Sequence, residues 1–262
     1  MNGLARLGVS IREGLRRHGH LAAVASAVLR LSVSPRRWPR TVRAILARQI
    51  LFTGFEALRL VALVAVVMGV AVVLQTQVWL TKFGQSAFIG PILVAVIIRE
   101  LGPLLVNFVV IGRSGTAISS ELSSMRVAGE IRVLDSMGLD PLATLVLPRC
   151  IGVAVSVFCL AVLFVAVSFV SGYLAGLLLG ANVGTPGLFA DSVLRAIRPA
   201  DIVNLSAKTL LPGVLTGAIC CIEGLGVRGA LTEIPQAASR GVVRSVAALF
   251  VVSILVSLLT YA

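Results

Sequence analysis

Apolar residues in this chain come in long blocks, with the polar residues gathered between them. Five blocks are candidate spans for a bilayer, which a helix crosses in about 20 residues at 1.5 Å each. Leu60 to Trp79 is a run without charge. Ala87 to Ile111 is long enough but contains Arg99-Glu100 and Gly102-Pro103. Cys150 to Leu179 is the longest, and a stretch of that length is accommodated by tilt. Ile202 to Ile222 is a weaker span, carrying Lys208 and Pro212. Val246 to Tyr261 ends on a tyrosine where an interfacial aromatic is expected.

Ahead of the first block, Leu4, Leu7, Ile11 and Leu15 follow helical spacing, with Arg12, Glu13, Arg16 and Arg17 on other faces. That pattern suits a helix lying in a membrane interface; a basic tail in solvent is the alternative. Pro35-Arg36-Arg37-Trp38-Pro39 breaks it, and a second basic helix from about Thr41 runs on into the membrane. No short apolar core meets a small-residue cleavage site, so the segment does not read as a signal peptide. The expected fold is an all-α integral membrane protein, an N-terminal interfacial amphipathic helix plus five transmembrane helices. Residues 1–59 form its basic helices and 60–262 a single membrane domain.

Composition agrees. Of 262 residues, 58% are hydrophobic and 13% charged, against about 25% charged in average soluble domains. Mean hydropathy is +1.02. The net charge is nonetheless +12, from 23 Lys and Arg against 11 Asp and Glu. With the N-terminus inside, segments 1–59, 112–149 and 223–245 hold eleven, four and three basic residues, 18 of the 23. The outer segments hold Lys82, Arg195, Arg198 and, at a span edge, Lys208, while Arg99 stays within the membrane. That asymmetry fits the positive-inside rule and predicts a cytoplasmic N-terminus and an outer C-terminus. The basic excess is then an orientation and lipid-surface signal, and no nucleic acid is implied.

Several chemistries are excluded or weakened by what the spans lack. Cys150, Cys159, Cys220 and Cys221 sit in apolar runs without a C-x-x-C, so buried thiols are expected and no metal site. His18 and His20 are the only histidines and both are N-terminal. Gly112-Arg113-Ser114-Gly115 therefore lacks the imidazole base of an intramembrane serine protease, leaving only Lys208 for that role. A phosphate-binding loop needs G-x-x-x-x-G-K-[ST], and neither Lys82 nor Lys208 stands in one. ATP-driven work requires a separate subunit.

Two places remain for function. A charge near mid-bilayer costs about 2.5–3.5 kcal/mol and faces protein or a wet cavity. Arg99 and Glu100 point about 100° apart on a helix, so they do not simply neutralise each other. Pro103 lacks the N–H that would bond the Arg99 carbonyl, and Gly102 loosens the same turn. Pairing to other helices and lining a transport cavity are both open to them. The second place is the inner loop 112–149, expected to dock a cytoplasmic partner. Glu121, Arg126, Glu130, Arg132, Asp135 and Asp140 cluster there. Val127, Ile131 and Leu134 share a helix face, and Gly138 is placed as a C-terminal stop. Asp140-Pro141 reads as N-cap and first helical residue of the next helix. Gly172, Gly176 and Gly180, and Gly213 and Gly217, are small-residue steps that predict close helix packing and argue only weakly for a dimer.

Arg99-Glu100-Leu101-Gly102-Pro103, Gly112-Arg113-Ser114-Gly115-Thr116-Ala117, Glu121, Met125, Glu130, Met137, Asp140-Pro141 and Pro148-Arg149 together resemble the MlaE/YrbE family of ABC transporter permeases. Arg48-Gln49 and the five-span layout extend the resemblance over most of the chain. It implies a homodimeric phospholipid permease in a bacterial inner membrane. The implied partners are cytoplasmic ABC ATPase subunits, an Mce-domain periplasmic protein and a small STAS-domain accessory protein. It implies no cofactor on this chain, with ATP and Mg used by the ATPase. It assigns coupling to the ATPase to Glu130, Arg132, Leu134, Asp135, Met137, Gly138, Asp140 and Pro141. It places Leu74, Arg99, Glu100, Gly102 and Pro103 in the lipid cavity, with Arg113 and Glu121 in the loop motif. Ser120 and Arg132 depart from the family's usual alanine and acidic residue. Two readings from other classes are an ion-coupled secondary transporter using Glu100 and a purely structural membrane subunit.

Overall fold

The computed structural model describes residues 40–83, 89–179 and 185–261, with side chains from 43 to 79 in the first stretch. The interfacial helix expected over Leu4 to Leu15, the Pro35–Pro39 break, the Lys82 side chain and Gly180 lie outside the described residues. Seven helical segments carry the rest, without a strand among the described residues. We label them α1 (Arg40–Phe83), α2 (Ile89–Val127), α3 (Glu130–Ser136), α4 (Leu142–Leu178), α5 (Pro186–Ala196), α6 (Pro199–Leu225) and α7 (Glu233–Tyr261). Of these, α1, α2, α4, α6 and α7 are long and apolar enough to cross a membrane.

The five expected spans are all present, and each is longer than its apolar core. The main correction falls on the second. Hydropathy ends it at Ile111, yet α2 runs through Gly112-Arg113-Ser114-Gly115 as wide π-type turns and continues to Val127. Most of the expected 112–149 loop is therefore helix, and irregular chain is confined to the joints around Ala128-Gly129 and Met137 to Asp140. Hydropathy fails here because Glu121 and Arg126 sit on the exposed side of a helix whose other face is packed. Ile118, Ser119, Leu122 and Ser123 are buried against α6 and α7.

The core lies along α4. It packs lengthwise on α1 and, on its other side, on α6, while α7 closes against α6 and the end of α2. Ala57, Val61, Ala65 and Val73 of α1 are buried, as are Val153, Val157, Leu160 and Phe164 of α4. The glycine steps are intramolecular. An added Cβ at Gly172 would stand 2.6 Å from the Gly69 carbonyl oxygen of α1. At Gly213 it would meet the Ala154 Cα at 2.7 Å, and at Gly217 the Cys150 Cα at 2.6 Å. Backbone cannot yield at such distances without moving a whole helix. Ser168 strengthens the α1–α4 seam by donating to the Ala65 carbonyl at 3.1 Å.

Gly217→Ala and Gly213→Ala should each lower the melting temperature of the detergent-solubilised protein, by an overpacking cost of about 1–3 kcal/mol. Gly112→Ala, with open space where its Cβ would go, should leave melting unchanged or raise it, since alanine favours helix. Equal behaviour of the three variants would refute the close packing.

Candidate functional site

Two prolines set up the polar cluster. A proline inside a helix supplies no N–H, so the carbonyl four residues earlier loses its partner. In α2 that is Pro103 and the Arg99 carbonyl; in α6 it is Pro212 and the Lys208 carbonyl. Each freed carbonyl is taken by an asparagine of the other helix. Asn204 of α6 donates to the Arg99 oxygen at 3.2 Å, and Asn107 of α2 donates to the Lys208 oxygen at 3.1 Å. Both asparagines are buried. Asn107 also reaches its own helix, at the Pro103 carbonyl, 2.7 Å away. The backbone is thus not broken, as the sequence suggested, but wound wide. Val94–Leu101 is a π-helical stretch, with Gly102 N–H bonded to the Ile97 carbonyl, and α-helix resumes at Gly102. Gly102 also permits the turn to press on Val165 and Phe164 of α4.

The charges gather around this exchange. Lys208, buried to 1% exposure, extends Nζ to the Arg99 carbonyl at 2.9 Å and to Glu100 Oε1 at 2.7 Å. Glu100 is half exposed and also accepts from Ser257 of α7 at 3.1 Å. Arg99 turns the other way, pairing with the fully buried Asp201 at 2.8 Å and lying 4.7 Å over the Tyr261 ring. Asp201 further accepts from the Tyr261 hydroxyl at 2.8 Å and the Arg198 N–H at 2.9 Å. Arg99 and Glu100 accordingly pair with separate partners, as their angular separation requires. Asp201 and Tyr261 stand at the start of α6 and the end of α7. Arg99 therefore meets the level of the helix ends and is shallower than the mid-bilayer depth the sequence suggests. Lys208, expected at a span edge, lies instead about 13 Å along α6 from Pro199. Leu74 is half-buried on α1 and contributes no group to this network.

The loop-motif residues are separated in space from that cluster. Arg113 binds the carboxylate and carbonyl of Glu56 on α1. Glu121 pairs at 2.9 Å with Arg149, which is buried. Ser114 is 2% exposed and lies some 21 Å along α2 from Glu100, the partner of Lys208. The two cannot meet as nucleophile and base.

At the far end of α2, Gly129 takes φ 81 and starts α3, and Gly138 at φ 72 ends it. Gly138 N–H bonds the Asp135 carbonyl and Leu139 N–H bonds that of Leu134, a double C-terminal closure of the Schellman type. Asp140 then caps α4, its Oδ1 accepting the Leu142 N–H at 2.9 Å. Both expected punctuation marks are present. The shared face is not continuous, because the Gly129 turn separates Val127 from Ile131. Ile131 is buried and Leu134 packs against the core. Glu130, Arg132, Asp135 and Asp140 are exposed, beside exposed Val133, Met137 and Leu139. Pro141 is half-buried at the foot of α4. No ion pair involves these four charges among the described residues.

Sequence reasoning missed Asp201, Asn107, Asn204, Ser257 and Glu56. The available signal was a proline and an asparagine within each of two spans, at spacings that free a carbonyl and supply an amide. Outside the spans, Asp191 raises the pKa of exposed Arg195 by hydrogen bonding first and charge second. That pair stands on α5, outside this network.

A five-span bundle braced by buried polar contacts at one end, with a rigidly mounted charged helix at the other, is the build of a transport permease. Residues 46–259 match the family described as Permease MlaE, and the chain belongs to that family. A probable ABC transporter permease protein of Rickettsia conorii is 30% identical over 187 residues, 71% of each chain. The chloroplastic TRIGALACTOSYLDIACYLGLYCEROL 1 protein of Arabidopsis thaliana is 30% identical over 233 residues, 88% of this chain and 64% of that one. The intermembrane phospholipid transport system permease protein MlaE of Haemophilus influenzae is 26% identical over 206 residues, 77% of each.

Removing the exposed member of the Glu100–Lys208 pair strands a buried charge, whereas removing the lysine leaves a half-exposed carboxylate that still accepts from Ser257. Glu100→Gln should therefore cost more than Lys208→Met, on the order of 3 kcal/mol, and the double variant should recover part of the loss. Thermal melting in detergent checks this; a larger loss for Lys208→Met would contradict the arrangement.

Proposed function

We propose that this chain is the permease subunit of an ABC transporter that moves phospholipid between the inner and outer membranes of a bacterial envelope, maintaining outer-membrane lipid asymmetry. In this reading it works in the inner membrane as a homodimer with a cytoplasmic N-terminus. A separate ATPase drives it with ATP and Mg, and an Mce-domain protein receives or delivers lipid outside. A small STAS-domain protein accompanies the ATPase. The substrate class follows from the family and from the Haemophilus relative, which is named for intermembrane phospholipid transport.

The observation that carries the ATPase coupling is α3. Seven residues closed at both ends by positive-φ glycines project Glu130, Arg132 and Asp135 outward, without ion-pair partners among the described residues. An unpaired charged rim around apolar Val133 and Met137 is the composition of a protein–protein contact. Because α3 follows α2 after a two-residue joint and leads into α4, force applied there reaches both spans directly. At the opposite end, half-exposed Glu100 and part-exposed Arg99 offer one negative and one positive group to a zwitterionic headgroup.

Glu130→Lys with Asp135→Lys should reduce co-purification of the co-expressed ATPase by about tenfold, roughly 1.4 kcal/mol, while the melting temperature of the bundle holds. Undiminished co-purification and lipid transport would favour a purely structural subunit. The purified chain alone should hydrolyse no ATP. Gradient-driven uptake by the lone chain in liposomes would overturn the proposal in favour of ion-coupled transport through Glu100.

A further inference from the structure

Charge marks where the membrane-facing surface of this bundle stops. On α1 the charge-free run begins after exposed Arg59, and on α2 the apolar run ends at Ile111, before Arg113, which binds Glu56. Beyond that level the bilayer offers no hydrocarbon cover, yet apolar surface continues. Leu51, Phe52 and Phe55 of α1 are exposed there, Leu51 and Phe55 to 69% each. Beside them α1, the end of α2 and the foot of α4 form a mostly apolar cavity of about 610 Å³. It is a groove. Its lining runs from Phe52 to Ala44 on α1 and from Ala117 to Met125 on α2, about 12 Å along each helix.

The chain itself supplies a segment that fits. Thirty-nine residues precede Arg40, where α1 starts, and Ala44 of the groove stands one turn further on. Among them Leu4, Leu7, Ile11 and Leu15 keep helical spacing. On a helix the stripe from Leu7 to Leu15 runs about 12 Å, the length of the groove. The 24 residues from Arg16 to Pro39 reach about 80 Å when extended, far more than the path requires. A tethered segment also meets the groove at an effective concentration of about millimolar, which any separate partner must outcompete. We propose that the N-terminal segment of this chain seats Leu7, Ile11 and Leu15 in this groove, between Phe52 at one end and Met125 at the other. Charge does not drive the docking. Arg48, Arg149 and Glu121 leave the lining one positive charge in excess, and the segment carries seven arginines against Glu13. Three aliphatic side chains leaving water, each worth about tenfold in binding, outweigh repulsion between exposed and screened charges. Docking there clasps α1 to α2 and α4 next to the joint that carries α3. The inference does not rest on the transport reading.

The test uses the full chain in vesicles of phosphatidylcholine and phosphatidylglycerol, with exposed Cys159→Ala; Cys150, Cys220 and Cys221 are buried and shielded from maleimide. Ala117→Cys on the α2 wall is paired with Ile11→Cys, on the stripe, or with Glu13→Cys, off it, and a short bismaleimide is added. Ala44→Cys on the α1 wall is the second reporter, used if Ala117→Cys lowers the melting temperature. The Ile11 pair should cross-link within one chain about tenfold more than the Glu13 pair, and Leu7→Asp should remove that excess, since one buried leucine is worth about that factor. High salt should leave the yield unchanged. Equal yields at the two faces, no cross-link at either, or an excess that survives Leu7→Asp overturns the proposal. Loss of the cross-link in high salt also overturns it, showing arginines held on anionic lipid instead. Cross-linking only between chains that carry one cysteine each overturns it as well, by putting a second copy in the groove. None of these outcomes bears on ATPase docking, which is read from co-purification.

Discussion

Unpaired backbone is the constraint that organises this bundle. In a bilayer no water reaches a carbonyl that its own helix cannot satisfy, and each one costs several kcal/mol. Pro103 and Pro212 each create such a carbonyl, and each is satisfied by an asparagine from the other helix. The exchange is reciprocal, so α2 and α6 are held in one register: a slip by a single residue would break both interhelical bonds. Lys208 adds a charge-assisted bond to the Arg99 carbonyl, worth more than a neutral one.

From that lock the placement of the other charges follows. Lys208 is drawn into the helix interface by a backbone oxygen and remains there because Glu100 compensates its charge. Glu100, in turn, is held with half its surface free. Arg99 is left to bridge to Asp201 and Tyr261, tying the start of α6 to the end of α7. Three spans are thereby joined at one end by polar contacts. Further along α6, close backbone approach at Gly213 and Gly217 seats it on α4, and the other end is joined by ion pairs, Arg149 to Glu121 and Glu223 to Arg240 and Arg244. A bundle fixed at both ends transmits displacement along its helices, which is what the proposed coupling between α3 and the opposite end requires.

Hydropathy alone located all five spans, because a run of about 20 apolar residues has no other stable setting. Local chemistry was equally legible around α3. Gly138 stops a helix and Asp140 caps the next through contacts within a few residues, and such contacts are written in sequence. The span ends were not legible. Gly112 to Val127 carries arginine, serine and glutamate, a loop by composition, and is helix because α6 and α7 bury one of its faces.

The sequence by itself determined the membrane class, the number of spans, the absence of a nucleotide-binding loop and the two prolines that had to leave carbonyls unpaired. It also showed that Arg99 and Glu100 point apart and so need different partners. Only the tertiary structure decided which partners those were. Asp201 and Lys208 lie about a hundred residues away along the chain, and no periodicity relates them to Arg99 and Glu100. Side chains that meet between two helices are chosen by the helices' relative rotation and depth, and those are set by packing over their whole length.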